Sequence, residues 1–236
     1  MATFTSFSDL LPDPNNKINN AGAVDATGTA GPGFAKVKFT SDNTTQVSRT
    51  ISGRGITASP SYHKWSFDIG YNPMTRAEFD PVGSFLETRR GRLNPFFVIL
   101  PQHAAPKDTA FATNTLTASV TVSGSSTIMI NGVLAGEPSP GDFFTITDSS
   151  DSNHKKAYKV LRVETSTTYQ VGTTAPTSTQ RRIWTQPPIT RAVTAGATVN
   201  FVNPKFRVTQ KGDTLEYDLD TDNLYQFSLS LEETLP

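Results

Sequence analysis

The sequence predicts a mainly β protein with one short α-helix, organised as a discontinuous core domain that carries a second β-domain as an insertion. Three observations predict it. Trp65, Phe67, Ile69 and Tyr71 alternate with Ser66, Asp68 and Gly70, the period of a strand with one buried face. From Leu116 to about Ile189 the chain is a series of short strand-like runs between Ser, Gly, Pro and Asp turns, the spacing of a small barrel or sandwich. Hydrophobic residues make up 36% and charged residues 18%, so the balance lies in Thr, Ser, Asn and Gly, while 15 Phe and 6 Tyr supply large core side chains.

Taken in order, residues 1–33 read as an N-terminal arm. Asn15 to Gly33 holds almost no large apolar side chain, and before it stands a hook of Phe4, Phe7, Leu10 and Leu11. Such a hook suits docking on a neighbouring subunit and suits a loose terminus equally. Lys36–Phe39 and Val47–Ile51 form two short strands around a polar Ser41–Thr44 turn, and Gly53 and Gly55 loosen the backbone after them. Lys64 to Leu100 is then one packing unit. After the Trp65 strand, Asp80 caps a helix with Pro81 at its first position, in competition with a Thr75–Glu78 capping box. Val82, Phe85 and Leu86 supply its apolar face, Arg89 and Arg90 suit its negative end, and Gly91 closes it. Phe96–Leu100 follows as a fully apolar strand between prolines.

Gln102–Thr113 has no period and reads as a linker. The strands expected beyond it are Leu116–Val122, Thr127–Ile130, Phe143–Thr147, Tyr158–Val163, Thr168–Val171 and Arg181–Trp184. Phe201–Val208 and Leu224–Leu231 return to long-strand character. The domains are therefore an arm over 1–33, a core over 34–102 plus 198–236, and an inserted β-domain over 114–192.

Charge and motifs narrow the function. Twenty-one basic and 21 acidic residues leave a formal net charge of zero, so no global field draws the chain to nucleic acid or to an anionic membrane. The expected partners accordingly include neither. Cysteine is absent, which removes thiolate metal sites, disulfides and a Cys nucleophile. No stretch approaches the roughly 20 apolar residues of a membrane helix, and Met1-Ala2-Thr3-Phe4 does not open a signal peptide.

No catalytic, cofactor-binding or metal site is expected. Asp218, Asp220 and Asp222 start a calcium-loop spacing, but Asn223 replaces its Gly and Leu229 its bidentate Glu, so they read as an Asp-rich hairpin turn. His63, His103 and His154 are scattered. Arg89, Arg90 and Arg92 form the concentrated basic patch, helped by Arg76, and suit ion pairs with a neighbouring subunit. With Phe4, Phe7, Trp65, Tyr71 and Phe79 they are the candidate interface residues. Trp184 and Tyr169 are candidates for stacking on a glycan, an indole in that setting also serving as a core or interface anchor.

Tyr71-Asn72-Pro73-Met74, Phe79-Asp80-Pro81-Val82, Phe85-Leu86, Arg90-Gly91-Arg92 and the Phe96–Leu100 strand together resemble tail proteins of tailed bacteriophages. Phe201–Phe206 and Leu224–Glu232 resemble late strands of the same tail domain, and Pro140-Gly141-Asp142-Phe143 a strand opening in such proteins. The family suggested is the distal tail protein. That resemblance implies a split-barrel core forming a hexameric ring, an OB- or galectin-like inserted domain, and a place in the virion tail after synthesis in the host cytoplasm. The implied partners are further copies of the chain, the tail-tube protein, and baseplate hub, wedge or fibre proteins. A baseplate wedge or tail-completion protein of a simple contractile tail fits the same strings. Beside this non-enzymatic, structural reading stand a carbohydrate-binding module in the insert and a glycan hydrolase, for which no carboxylate pair is nominated.

Overall fold

The computed structural model of the protein describes residues 9–14, 17, 27, 30–58 and 63–236. It is mainly β, 41% strand and 9% helical. In chain order the first elements are β1 (Phe34–Asn43), β2 (Gln46–Arg49), β3 (Gly55–Ala58), β4 (His63–Tyr71), α1 (Arg76–Arg89) and β5 (Phe96–Ile99). Next come β6 (Leu116–Ala118), β7 (Thr127–Asn131), β8 (Phe143–Thr147), β9 (Ala157–Glu164), β10 (Gln180–Gln186) and β11 (Thr198–Asn200). The chain ends with β12 (Lys205–Gln210), β13 (Tyr217–Leu219) and β14 (Tyr225–Glu233). Two compact units result: Met1–Val98 with Arg207–Thr234, and Ile99–Phe206 with Leu235–Pro236.

The first unit is a curled sheet in the order β1-β4-β14-β12-β5, with β13 hairpinned onto β14. Along β4 burial alternates as the sequence pattern requires, with Trp65, Phe67, Ile69 and Tyr71 inward. The Phe39 ring of β1 lies 4.9 Å from Trp65 and 5.2 Å from Phe67. β1 runs on through Ser41, Asp42 and Asn43, so the polar turn expected there is strand. Register explains it, because those three residues pair with Trp65, Lys64 and His63.

Helix α1 starts one turn earlier than Asp80. Thr75 is its N-cap in a capping box: the Thr75 amide and hydroxyl each donate 2.8 Å to the Glu78 carboxylate. Satisfying the first-turn amides outweighs the Asp80-Pro81 signal. Pro81 consequently sits inside the helix, where it lacks the amide that would bond back to Ala77. Phe79, Val82, Phe85 and Leu86 form the buried face. The helix ends at Arg90 in the left-handed region (φ 54°) followed by Gly91 at φ 64°. A Cβ on Gly91 would come within 2.6 Å of Asp213 Oδ1, so glycine is required for packing as well as for backbone angle.

The second unit is a closed six-stranded barrel, β10-β7-β6-β11-β8-β9. Phe144, Tyr158, Ile130 and Ile183 are fully buried in its core beside Phe111 and Phe201. Three expectations change here. The strand from Leu116 ends at Ala118, with Thr121 retained as a single bridge to Val193. Thr168–Val171 is a loop, because the Thr165 hydroxyl accepts from the Thr167 and Thr168 amides and closes a local turn. In the barrel β11, and in the sheet unit β3 and β13, arise where no strand is expected from sequence: β11 pairs with β6 and β8, β3 with the equally short β2, and β13 with the long β14. Among the described residues no helix is long and apolar enough to cross a membrane.

Candidate interaction surface

On the sheet unit, β2 and β3 form a separate two-stranded ribbon whose every residue is exposed. Its turn is locally determined. The Gly53 amide bonds to the Thr50 carbonyl at 2.8 Å, the Thr50 amide to the Arg54 carbonyl at 3.0 Å, and Gly53 takes φ 81°. This is a three-residue hairpin loop with glycine in the left-handed position. Val47 and Arg49 share one face, since residues two apart on a strand point the same way, and Ile51 and Arg54 occupy the tip. Ile51 is wholly exposed, and Val47 and Ile56 are more than half exposed.

A groove of about 190 Å³ lies between α1 and β13, lined by Arg76, Phe79, Asp80, Glu87, Tyr217 and Tyr225 among others. Phe79 stacks on Tyr225 at 4.7 Å and meets Tyr217 at 4.9 Å. Phe79 is buried while Tyr217 is 47% exposed, so the groove is an aromatic floor with one open wall.

The Arg cluster divides by role. Arg89 is mostly buried, 2.9 Å from Asp9 and 4.7 Å over the Phe85 ring. Arg92 is exposed, its guanidinium donating to the Lys211 carbonyl and its amide to Asp213 at 3.1 Å. Arg90 is exposed at the helix cap. These contacts tie the helix end to Asp9 and to the Lys211–Asp213 loop of the same chain.

No protein-family model matches this chain, and no curated protein matches it. The site therefore rests on its residues.

In the barrel the ionisable groups hold loops. Glu164 has no side-chain exposure, yet its carboxyl stays below the usual glutamate range. Burial pulls it upward, and donation from Trp184 Nε1 at 3.1 Å and Arg182 at 2.9 Å overcomes that. Asp148 is held low by the Thr194 amide and hydroxyl, and Asp151 by Arg191. Asp108 is held low by the Glu137 amide. His154, 3% exposed, is pushed down by burial; its Nε2 lies 2.8 Å from the Tyr158 hydroxyl. A barrel cavity of about 190 Å³ is lined by Phe111, Leu116, Val199 and Phe201 with no titratable side chain. Among the described residues no three His, Asp or Glu side chains group as metal ligands.

The sequence candidates fall into place unevenly. Trp65, Tyr71 and Phe79 are 1%, 8% and 5% exposed and pack within the sheet unit, and Phe79 also lines the α1–β13 groove. Their alternation marks burial, and core and interface share that signal. The Tyr71 hydroxyl is pushed upward by burial, and Asp13 adds to it. Phe4 and Phe7 lie outside the described residues. Leu10 and Leu11 of the same hook are buried on the protomer itself, with Leu10 bridged to Phe97 of β5. Trp184 is half-buried with its indole N–H held by Glu164, while Tyr169 is 40% exposed on the 165–172 loop. Sequence reasoning missed the ribbon's Arg49 and Arg54 and the groove's Tyr217. Val47–Ile51 followed by Gly53 was the available signal for the ribbon. Tyr217 had none, because its strand is short and exposed on both faces.

Proposed function

We propose that the protein is a structural component of a bacteriophage tail tip or baseplate, forming a ring or adaptor between the tail tube and the distal hub, fibres or wedges. It does no chemistry of its own in this reading. One observation carries it: the sheet unit ends in unfinished structure. Among the described residues β1 pairs on one side only, over ten residues, and the β2–β3 ribbon stands fully exposed. A long open edge and a bare ribbon are hazards in a solitary protein and become interfaces in an assembly. Five of the strings that resemble tail proteins support the same reading, since those from Tyr71 to Leu100 run consecutively through the end of β4, α1, its cap and β5. Obligate ring interfaces bury on the order of 2,000 Å² or more. Native mass measurement of the purified protein, alone and mixed with a tail-tube protein, tests the proposal. A closed oligomer or a stable complex with the tube is expected. A monomer that ignores tube and hub proteins at assembly concentrations overturns it.

A further inference from the structure

We infer that the β2–β3 ribbon of one copy seats in the α1–β13 groove of the next, so that copies join head to tail. This rests on the ring reading above and names its contact. The two surfaces match in charge and in shape class. Residues 46–58 hold Arg49 and Arg54 and no acidic residue. Neither arginine has an ion pair among the described residues. The groove is lined by Asp80 and Glu87 against one cation, Arg76, which is already 3.5 Å from Asp80. Asp218 on the exposed strand β13 and Glu216 just before it flank the groove residue Tyr217 in sequence and add negative charge within a Debye length of the rim.

The aliphatic tip residue Ile51 fits an aromatic floor of Phe79 and Tyr225, and the open Tyr217 ring offers a face to a guanidinium. An isolated two-stranded ribbon is marginally stable in water, so docking also supplies the packing that it lacks.

Topology makes the contact intermolecular. The ribbon leaves the sheet at the Asn43–His63 pair, one end of β4. The groove lies beyond the other end, where Met74 bridges to Tyr225. β4 is nine residues long, roughly 30 Å. The ribbon is exposed throughout, so it does not fold back onto its own groove. Donor and acceptor surfaces at opposite ends of one sheet are the arrangement of a heterologous contact, which closes into a ring when the rotation permits.

The absence of cysteine allows a direct test. Purified Ile51→Cys and Ser84→Cys proteins, mixed and oxidised, should form a cross-linked pair that neither variant forms alone; Ser84 lines the groove on α1. Arg49→Glu with Arg54→Glu should move assembly to roughly ten- to hundredfold higher protein concentration, and adding Glu87→Lys with Glu216→Lys should restore it. Rescue by the second pair excludes misfolding as the cause. If wild-type protein is monomeric, the ring reading fails and this contact with it. If wild type assembles but shows no cross-link and ignores the charge reversals, this contact is overturned while the ring stands. If the arginine variants assemble normally and lose only a sister tail component, the occupant is that component and the second-copy assignment is overturned.

Discussion

The barrel and the sheet use similar numbers of strands and finish them differently. Every barrel strand has a neighbour on both sides, because β9 returns to β10 and closes the ring. Its polar groups are spent internally: Glu164 on Trp184 and Arg182, Asp148 on Thr194, and Asp142 on the Ser139 and Lys107 amides. The sheet instead has two ends. β5 is covered by the chain's own Asp9–Leu11, where the Leu11 amide bonds to the Phe97 carbonyl at 2.8 Å. At the other end β1 pairs only with β4 among the described residues. Closure satisfies backbone groups within one molecule, whereas an open sheet defers some of that satisfaction to a partner. Under the assembly proposed above, the contacts are to be sought at the exposed edge and ribbon of the sheet unit, rather than among the polar clusters of the barrel.

Core truncations give the largest expected effects and ask whether the two units fail together. Phe144→Ala in the barrel and Phe67→Ala in the sheet should each cost about 3–5 kcal/mol, read from urea unfolding followed by tryptophan fluorescence. Trp184 reports on the barrel and Trp65 on the sheet. A single coincident transition in both variants would break the picture of two separately stabilised units.

Next in size is Glu164→Ala. It removes the acceptor for Trp184 Nε1 and leaves the largely buried Arg182 without its carboxylate, so a loss of about 2–4 kcal/mol is expected. A change under about 0.5 kcal/mol would mean that the cluster does not stabilise the barrel.

Acid should act on the barrel through His154. Its folded-state pKa lies below the ordinary histidine value, so the unfolded chain takes up the proton first. Stability is therefore full above about pH 6.5 and declines as pH falls toward the folded value. Burial is the main cause; Asp151 and Asp148 oppose the shift, and Arg191 adds to it. His103 is lowered by burial as well and has the same sign. Asp148 and Asp151, lowered in the folded state, contribute a further loss only near and below pH 4. Urea midpoints across this range should slope less in His154→Gln than in wild type. An unchanged slope would remove His154 from the account.

On the sheet unit Thr75→Ala should cost about 1 kcal/mol, since it deletes the cap's hydroxyl, measured by thermal unfolding. The exposed Lys38–Asp68 pair, 3.9 Å apart, comes last: Lys38→Ala should shift stability by less than about 0.5 kcal/mol.

What could be read in advance follows periodicity and chain-local chemistry. β4 was legible because alternation survives in any strand with one buried face, and β8 because Pro140-Gly141 opens it. The helix was legible in type but not in start, since two N-cap signals five residues apart compete and only the hydrogen bonds of Thr75 and Glu78 decide. β3, β11 and β13 were illegible: three or four residues carry too little pattern, and each is a strand only through its partner. The interface residues divided in the same way. A buried Trp65 and a buried interface Trp give one sequence pattern, and exposure separates them only when the neighbours in space are known.

By itself the sequence determined the β character, the single helix, the lack of cysteine chemistry and the neutral charge, because each depends on composition or on spacing within a few residues. Tertiary structure alone decided that one set of strands closes into a barrel and that the other, among the described residues, does not. It also decided that a bare cationic ribbon and an acidic aromatic groove stand at opposite ends of β4. Those outcomes depend on which distant strands pair, and backbone pairing over long separations leaves almost no mark on the identity of the residues that make it.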